Sequence, residues 1–263
     1  MSGESKDATT TSQNDGWNFN GSATNEAVLK PICQEVEEHF SFPPRRLHRF
    51  FAVDDDYFLT ELMGSHFRGF HIPISGREVL PDYLRECFFR PYDDYDLNTP
   101  FEDIVAFDNL IYIRKDTCSD ALGCVITYAH ELQHFIQHGH TPRLWVVNSA
   151  LYHNLARFDA TATAIDIPQE RDANIVSKRI AEKIYGPDKV RDYAQKQIKI
   201  MESLGEPAQA TRWVFFRDVS ASNEYDVLAF TLPFVEKYKG KIDFGIDTTQ
   251  PNWWLGPLPK NLG

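Results

Sequence analysis

Long hydrophobic runs are missing from this sequence: no stretch approaches the roughly 18 to 20 consecutive apolar residues that a membrane-spanning helix needs. The N-terminal residues also lack the apolar core behind a basic start that marks a secretory signal. We therefore predict a cytoplasmic protein with no membrane partner. Export by a route that reads no cleavable signal would leave no trace in the sequence.

Positive charge and cysteine are both scarce, and each scarcity excludes a class of protein. The chain has 27 Lys and Arg against 38 Asp and Glu, a formal net charge of -11. Binders of nucleic-acid phosphates draw affinity from clustered cations, so we predict no nucleic-acid partner. The four cysteines show no C-x-x-C spacing, which favours reduced thiols over a disulfide framework.

The rest of the composition is that of a globular protein, with 42% hydrophobic and 13% aromatic residues. Residues 1–25 are polar and predict a disordered tail. We expect residues 26–263 to form a single α+β domain with N-terminal and C-terminal elaborations. Residues up to about 100 are aromatic-rich and acidic and carry no motif that we can assign.

Two well-punctuated helices are predicted in the middle of the chain. The first follows a strand at Leu110–Ile113, begins after Ser119 or Asp120 and stops at Gly139. Its apolar positions recur at intervals of three and four: Leu122, Val125, Ile126, Ala129, Leu132, Phe135 and Ile136. The second begins at Asp166 as its N-cap and ends at Gly186.

The C-terminal third of the sequence is less regular. A further helix is predicted over residues 189–204. Beyond it, "RWVFFRD" and "YDVLAFTLPFV" mix strand-like and helical runs. We expect the Pro- and Trp-rich end of the chain to lie on the surface.

The first helix carries the motif H-E-x-x-H in His130, Glu131 and His134. Residues four apart lie on one face of a helix, so both imidazoles can reach one metal ion about 2.0 to 2.1 Å away. Glu131 then lies beside the ion without binding it, which suits a general base that takes a proton from the activated water. The motif predicts a catalytic zinc site.

A catalytic zinc usually has three protein ligands, and two residues compete to be the third. His140 follows His130 by ten residues, the spacing of the third histidine in the metzincin peptidases. Gln137 stands where that family has glycine, and the only later methionine, Met201, falls in a predicted helix instead of a Met-turn. Glu170, near the start of the second helix, resembles the carboxylate ligand of the gluzincin arrangement.

A local run of sequence strengthens the second candidate. Glu170-Arg171-Asp172-Ala173-Asn174 resembles the E-x-E-A-N run that follows the H-E-x-x-H helix in the ImmA/IrrE group of cytoplasmic metallopeptidases. The resemblance covers residues 111–185 and implies a zincin-like fold with an upstream strand and a second ligand-bearing helix. It also implies zinc held by His130, His134 and Glu170, with small Ala173 letting the two helices approach.

Other polar residues near these motifs have possible supporting roles. Asp172 or Asn174 could orient a zinc-bound histidine through its second ring nitrogen. His153 could stabilise an oxyanion beside Tyr152 or Arg157, although most isolated histidines are structural or exposed. The strand at Leu110–Ile113 could pair with an extended substrate.

Together these features predict a zinc metallopeptidase whose partner is a protein or peptide substrate. Two alternatives remain at this point: a zinc-stabilised interaction or regulatory protein without catalysis, and a metal-dependent hydrolase of a non-peptide amide. Glu131 favours an enzyme, because a purely structural metal site has no use for a carboxylate that is not a ligand. The sequence leaves the substrate and the oligomeric state open.

Overall fold

The computed structural model describes residues 17–19, 23–40, 47–51, 68–73 and 109–256. Of the predicted tail, residues 1–16 and 20–22 lie outside this range, as do Cys87 and most of the aromatic-rich segment. Strand β1 nevertheless covers Trp17–Asn18, and helix α1 covers Ala23–Glu38. Folded structure therefore begins earlier than residue 26, where the sequence predicted it.

The strands form a small sheet in the order β1-β2-β4-β3, with β2 at Leu47–Phe51, β3 at Gly69–Pro73 and β4 at Asn109–Ile113. Strand β2 pairs in parallel with β1 and β4, whereas β3 pairs antiparallel with β4. All five residues of β4 are buried, as expected of an interior strand covered on both faces.

The position of β4 corrects one expectation. The predicted substrate-pairing strand at Leu110–Ile113 is hydrogen-bonded on both sides, to β2 and to β3, so it has no edge left for a substrate. Within the described residues the strand at that edge of the sheet is β3.

The metal-motif helix lies at the centre of the described structure. After the short helix α2 at Lys115–Cys118, helix α3 runs over Ala121–His140, and the Asp120 side chain caps it by accepting from the backbone N–H groups of its first turn. Gly139 does not stop it: the helix ends one residue later, and Thr141 forms the C-cap. Thirteen of its twenty residues are buried, because it packs against both the sheet and helix α5, which covers Pro168–Tyr185.

Helix α4, at Pro142–Phe158, occupies the long interval between the two predicted metal-binding helices. Asp166 is not the N-cap of α5; it ends a short 3-10 turn at Ala164–Asp166 and forms a capping box with Thr163. Ile167 takes the N-cap position instead. The predicted end of α5 is confirmed, with Gly186 at a positive φ of 85° that favours glycine.

Three more helices follow: α6 at Pro187–Ser203, α7 at Pro207–Asp218 and α8 at Val227–Tyr238. The segment "RWVFFRD" is therefore helical, and within the described residues the C-terminal region forms no strand. Trp253 is 4% exposed and belongs to a hydrophobic cluster, so this part of the chain end is not the surface tail that the sequence predicted.

Two hydrophobic clusters stabilise the described structure. The larger joins the sheet to α1, α3, α5, α6 and α7, and the smaller joins α4 and α8 to the C-terminal segment. Three of the cysteines, Cys33, Cys118 and Cys124, are buried in the larger cluster as free thiols, which confirms that prediction for these three. The α+β class is also confirmed, since a helical structure surrounds a small sheet.

Candidate metal centre

Two buried helices bring three possible metal ligands to one point. His130 and His134 project from the same face of α3, and Glu170 lies in the first turn of α5. The two Nε2 atoms are 3.1 Å apart. The Glu170 carboxylate places Oε2 3.3 Å from His130 Nε2 and Oε1 3.1 Å from His134 Nε2. Among the described residues these three form a group of donor atoms that could hold a metal ion.

The spacing of these atoms fits a tetrahedral metal. Bonds of about 2.0 to 2.1 Å at tetrahedral angles place neighbouring ligand atoms about 3.3 Å apart. The two imidazole nitrogens are 3.1 Å apart, and each has one or the other carboxylate oxygen of Glu170 within 3.3 Å. Two imidazole nitrogens and one carboxylate oxygen are a typical donor set for catalytic zinc, which keeps a fourth position open. The residues present therefore fit the ion that the sequence predicts.

Glu170, and not His140, is the residue that meets the two histidines. His140 lies exposed in the last turn of α3, outside the donor group. Glu170 reaches the site because α5 packs closely on α3, and Ala173 is fully buried as expected of a small residue between two helices. Glu170 follows His130 by forty residues, and the 17 residues of helix α4 lie within that interval.

An amide side chain orients His134. The Gln137 Oε1 atom lies 2.8 Å from His134 Nδ1, while its Nε2 donates to Asp172 Oδ2 and to the Gln169 carbonyl oxygen. These two acceptors fix the amide orientation, so Nδ1 must donate to Oε1, which leaves Nε2 of His134 as the ring nitrogen that faces the metal position.

This network corrects the expected roles of Asp172 and Asn174. Asp172 accepts a hydrogen bond from Gln137 instead of contacting a histidine ring, and the Asn174 side chain donates to the Glu170 carbonyl oxygen. Sequence analysis treated Gln137 only as a departure from the metzincin pattern. Its position three residues after His134 on a helix was the signal that could have identified it.

Replacing Gln137 by Leu is expected to weaken zinc binding about 10- to 100-fold, since His134 would lose the partner that fixes its ring. Competition with a chromophoric chelator measures this affinity. Gln133→Leu is the matched control: Gln133 also donates to Asp172, at 2.7 Å, whereas the partner of His134 Nδ1 is Gln137. Equal zinc affinity in the two variants would contradict the orienting role of Gln137.

The pKa values of the two histidines are shifted in opposite directions because their electrostatic environments differ. Burial and the nearby guanidinium of Arg212 lower the pKa of His130 to about 3. Burial also acts against the charged form of His134, but the Glu170 carboxylate outweighs it and raises the pKa of His134 to about 9. His134, together with the histidine hydrogen bonds, in turn holds the pKa of Glu170 well below its usual range despite burial. Without metal, the site therefore contains a buried ion pair between His134 and Glu170.

Zinc affinity is expected to fall as the pH drops below about 9, the pKa of His134 in the metal-free protein. The ion has to displace one proton from His134, so the apparent dissociation constant should rise about tenfold per pH unit below that value. Chelator competition at several pH values between neutrality and the pKa measures the slope. A dissociation constant that does not change over this range would show that His134 is already neutral in the metal-free protein.

Glu131 lies beside the donor group and does not belong to it. Burial raises the pKa of its carboxyl group to about 7, and the negative charge of Glu170 adds to the rise. The backbone N–H of His71, on the edge strand β3, opposes the rise by hydrogen bonding. A carboxylate with a pKa near neutrality is suited to accept and return a proton.

A cavity of about 850 Å³ opens at the donor group. One of its lining residues is an arginine that the sequence gave no reason to expect at the site. Arg212, on α7, lines this cavity, and its Nη2 lies 3.3 Å from His130 Nε2. Because α7 is far from the motif in sequence, only the packing of α7 on α5 and α6 brings this guanidinium to the site.

His153 was the expected oxyanion-stabilising residue, and the structure places it at the cavity with only one of the two neighbours that the sequence offered. Tyr152 and His153 line the cavity, and partial burial together with the charge of Glu170 raises the pKa of Tyr152. Arg157 is exposed and donates to Asn154, and it is not among the residues that line the cavity. Tyr152 and Arg212 are therefore better placed than Arg157 to act on a substrate.

Comparisons with protein-family models, with curated proteins and with solved structures found no match to this chain. Within the described residues no helix is both long and apolar enough to cross a membrane. The functional assignment therefore depends on the geometry of His130, His134 and Glu170 and on the residues around them.

Proposed function

We propose that this protein is a zinc-dependent metallopeptidase of gluzincin-like type, which hydrolyses peptide bonds by means of an activated water. One observation carries the proposal: a buried His130, His134 and Glu170 group lies at a cavity, with Glu131 next to it and outside the donor set. A catalytic zinc needs such an incomplete donor set and a separate base.

In the proposed reaction each residue has one task. His130, His134 and Glu170 would hold zinc, which when bound would lower the pKa of a water molecule to about 7 and polarise a carbonyl group. Glu131 accepts the proton of the attacking water and returns it to the leaving amine. The guanidinium of Arg212, on the His130 side of the site, stabilises negative charge that develops on the carbonyl oxygen.

A peptide is the proposed substrate because of the strand beside the site. Strand β3 is the edge strand in the described sheet and lines the cavity with Gly69, Phe70 and His71. An extended chain can add to such an edge through backbone hydrogen bonds. A hydrolase of a small non-peptide amide would have no use for this edge, and a binding protein would have none for Glu131. We keep the cytoplasm as the proposed compartment.

Purified protein is expected to contain about one zinc ion per chain, removable by a chelator, and zinc should stabilise the fold. Binding to the folded state alone adds about 2.7 kcal/mol to the free energy of unfolding when free zinc is a hundredfold above its dissociation constant. Metal analysis and thermal unfolding with and without zinc measure both effects.

His130→Ala provides the control, because zinc should no longer raise its melting temperature. Protein without any bound metal would reject the proposal, and so would a melting temperature that complete metal removal leaves unchanged.

A further inference from the structure

A second arginine lies in the same cavity, at the beginning of the edge strand. Arg68 directly precedes β3, and neighbouring aromatic rings hold its side chain in place. Its Nη2 donates to the hydroxyl of Tyr193 at 2.7 Å, and its guanidinium carbon lies 5.1 Å from the centre of the Trp213 ring. The guanidinium group is therefore fixed in position before any ligand arrives.

The other terminal nitrogen of Arg68 has no hydrogen-bond partner among the residues that the structure describes. Its Nη1 is buried without a hydrogen bond, and within the described part of the chain no carboxylate lies within ion-pair distance of the side chain. The arginines at positions 49 and 114 differ in this respect, because they pair with Glu37 and Asp116. A buried donor on a cation is costly to leave unpaired, so a carboxylate from outside the chain would complete this site.

Gly123 makes room for this arrangement. A Cβ atom at Gly123 would lie 2.5 Å from the Tyr193 hydroxyl and 3.1 Å from Arg68 Nη2, so a side chain there would displace both groups. Gly123 precedes His130 by seven residues on α3, which corresponds to roughly 10 Å at 1.5 Å per residue. The strand gives the same distance of about 10 Å between the level of Arg68 and the level of the metal site, since Arg68 precedes His71 by three residues at about 3.4 Å each.

The direction of a bound peptide follows from the direction of β3. Antiparallel pairing, the more stable kind, would run a substrate against β3, so that its C-terminal end lies next to Gly69 and Arg68. The bond to be cleaved has to lie near Glu131, at the level of His71. About 10 Å then separates this bond from Arg68, a span of two or three extended residues.

We infer that Arg68 binds a substrate carboxylate that follows the cleaved bond by two or three residues. This inference rests on the proposed function, because it takes the metal group as the point of cleavage. The carboxylate belongs either to an acidic side chain or to the C-terminus of the peptide. In the first case the enzyme selects acidic sequences, and in the second it releases dipeptides or tripeptides from chain ends.

Binding of tripeptide amides that carry a hydroxamate at their N-terminal end tests the inference. The hydroxamate ligates zinc and fixes the register, and Glu131→Gln protein loaded with zinc prevents turnover. A peptide with Glu at the second or third position should bind about 10- to 100-fold more tightly than the peptide with Gln at the same position. A hydrogen bond between charged groups contributes a free energy of this size. Alanine peptides with a free C-terminal carboxylate, compared with their amides, distinguish the two sources. Titration calorimetry gives the dissociation constants.

In Arg68→Gln protein the difference between acid and amide should disappear, while acetohydroxamate alone binds as before and so reports an intact metal site. Arg114→Gln is the matched control: it removes a cation from the same cavity, but one already paired with Asp116 at 3.2 Å, so the preference should persist. If protein that keeps Arg68 binds the carboxylate peptides and their amide counterparts equally, the inference is overturned. This outcome can be read even if Arg68→Gln fails to fold.

These outcomes separate the inference from the proposed function. Preference for a carboxylate without hydrolysis of any peptide by wild-type protein would reject the peptidase and leave the carboxylate site standing. Hydrolysis without such a preference would reject the carboxylate site alone.

Discussion

Glu131→Gln is expected to lower peptide hydrolysis by about two to four orders of magnitude, the range that general acid–base catalysis supplies. Glutamine keeps the size of the side chain and can still hydrogen-bond to the backbone N–H of His71, but it cannot accept the proton of the attacking water. Because Glu131 is not one of the three donors, the variant should keep its zinc and its fold.

A natural substrate is first found by comparing the protein fragments in a host extract with and without the wild-type protein. The turnover of this substrate is then measured. The variant and the wild type are compared at matched zinc occupancy. Their melting temperatures should agree, which shows that the variant has kept its fold. Glu202→Gln makes the same chemical change at an exposed position of α6 and should leave turnover unaltered. If Glu131→Gln acts on its partner as well as the wild type does, the peptidase mechanism is wrong and the binding-protein alternative gains support.

Glu170→Ala is expected to weaken zinc binding by more than about a hundredfold, because the loss of a ligand should exceed the 10- to 100-fold cost of losing an orienting residue. The variant keeps two histidines on one helix but no donor from α5, so zinc no longer joins the two helices. Metal analysis after dialysis and chelator competition measure the loss.

His140→Ala is the control for this experiment, since His140 is exposed and outside the donor group. Its zinc content should match that of the wild type. The reverse pattern, with zinc lost in His140→Ala and kept in Glu170→Ala, would favour a metzincin-like site and reject the gluzincin-like one.

The parts of the site that lie on α3 could be predicted because they depend on local spacing. His130, Glu131 and His134 share a helix whose apolar periodicity is strong and whose N-cap, Asp120, was one of the two residues that the sequence offered. The end of α5 at Gly186 was also predictable, because a positive φ favours glycine whatever packs around it.

Where two local patterns competed, the sequence could not decide. Asp166 looked like the N-cap of α5, yet it serves a separate 3-10 turn that has its own capping box. The segment around Trp213 and Phe216 reads as a strand or as a helix; it is helical because both rings pack into the larger cluster when they lie on one helical face.

Long-range packing alone decided the rest. The choice of Glu170 over His140 depends on how α5 lies against α3, and the exclusion of β4 from substrate pairing depends on strand order. Arg68 and Arg212 reach one cavity from opposite parts of the chain. Helix periodicity and caps act over a few residues, so a sequence displays them directly. Contacts between elements depend on which apolar faces bury one another, and that choice is made only when the whole chain folds.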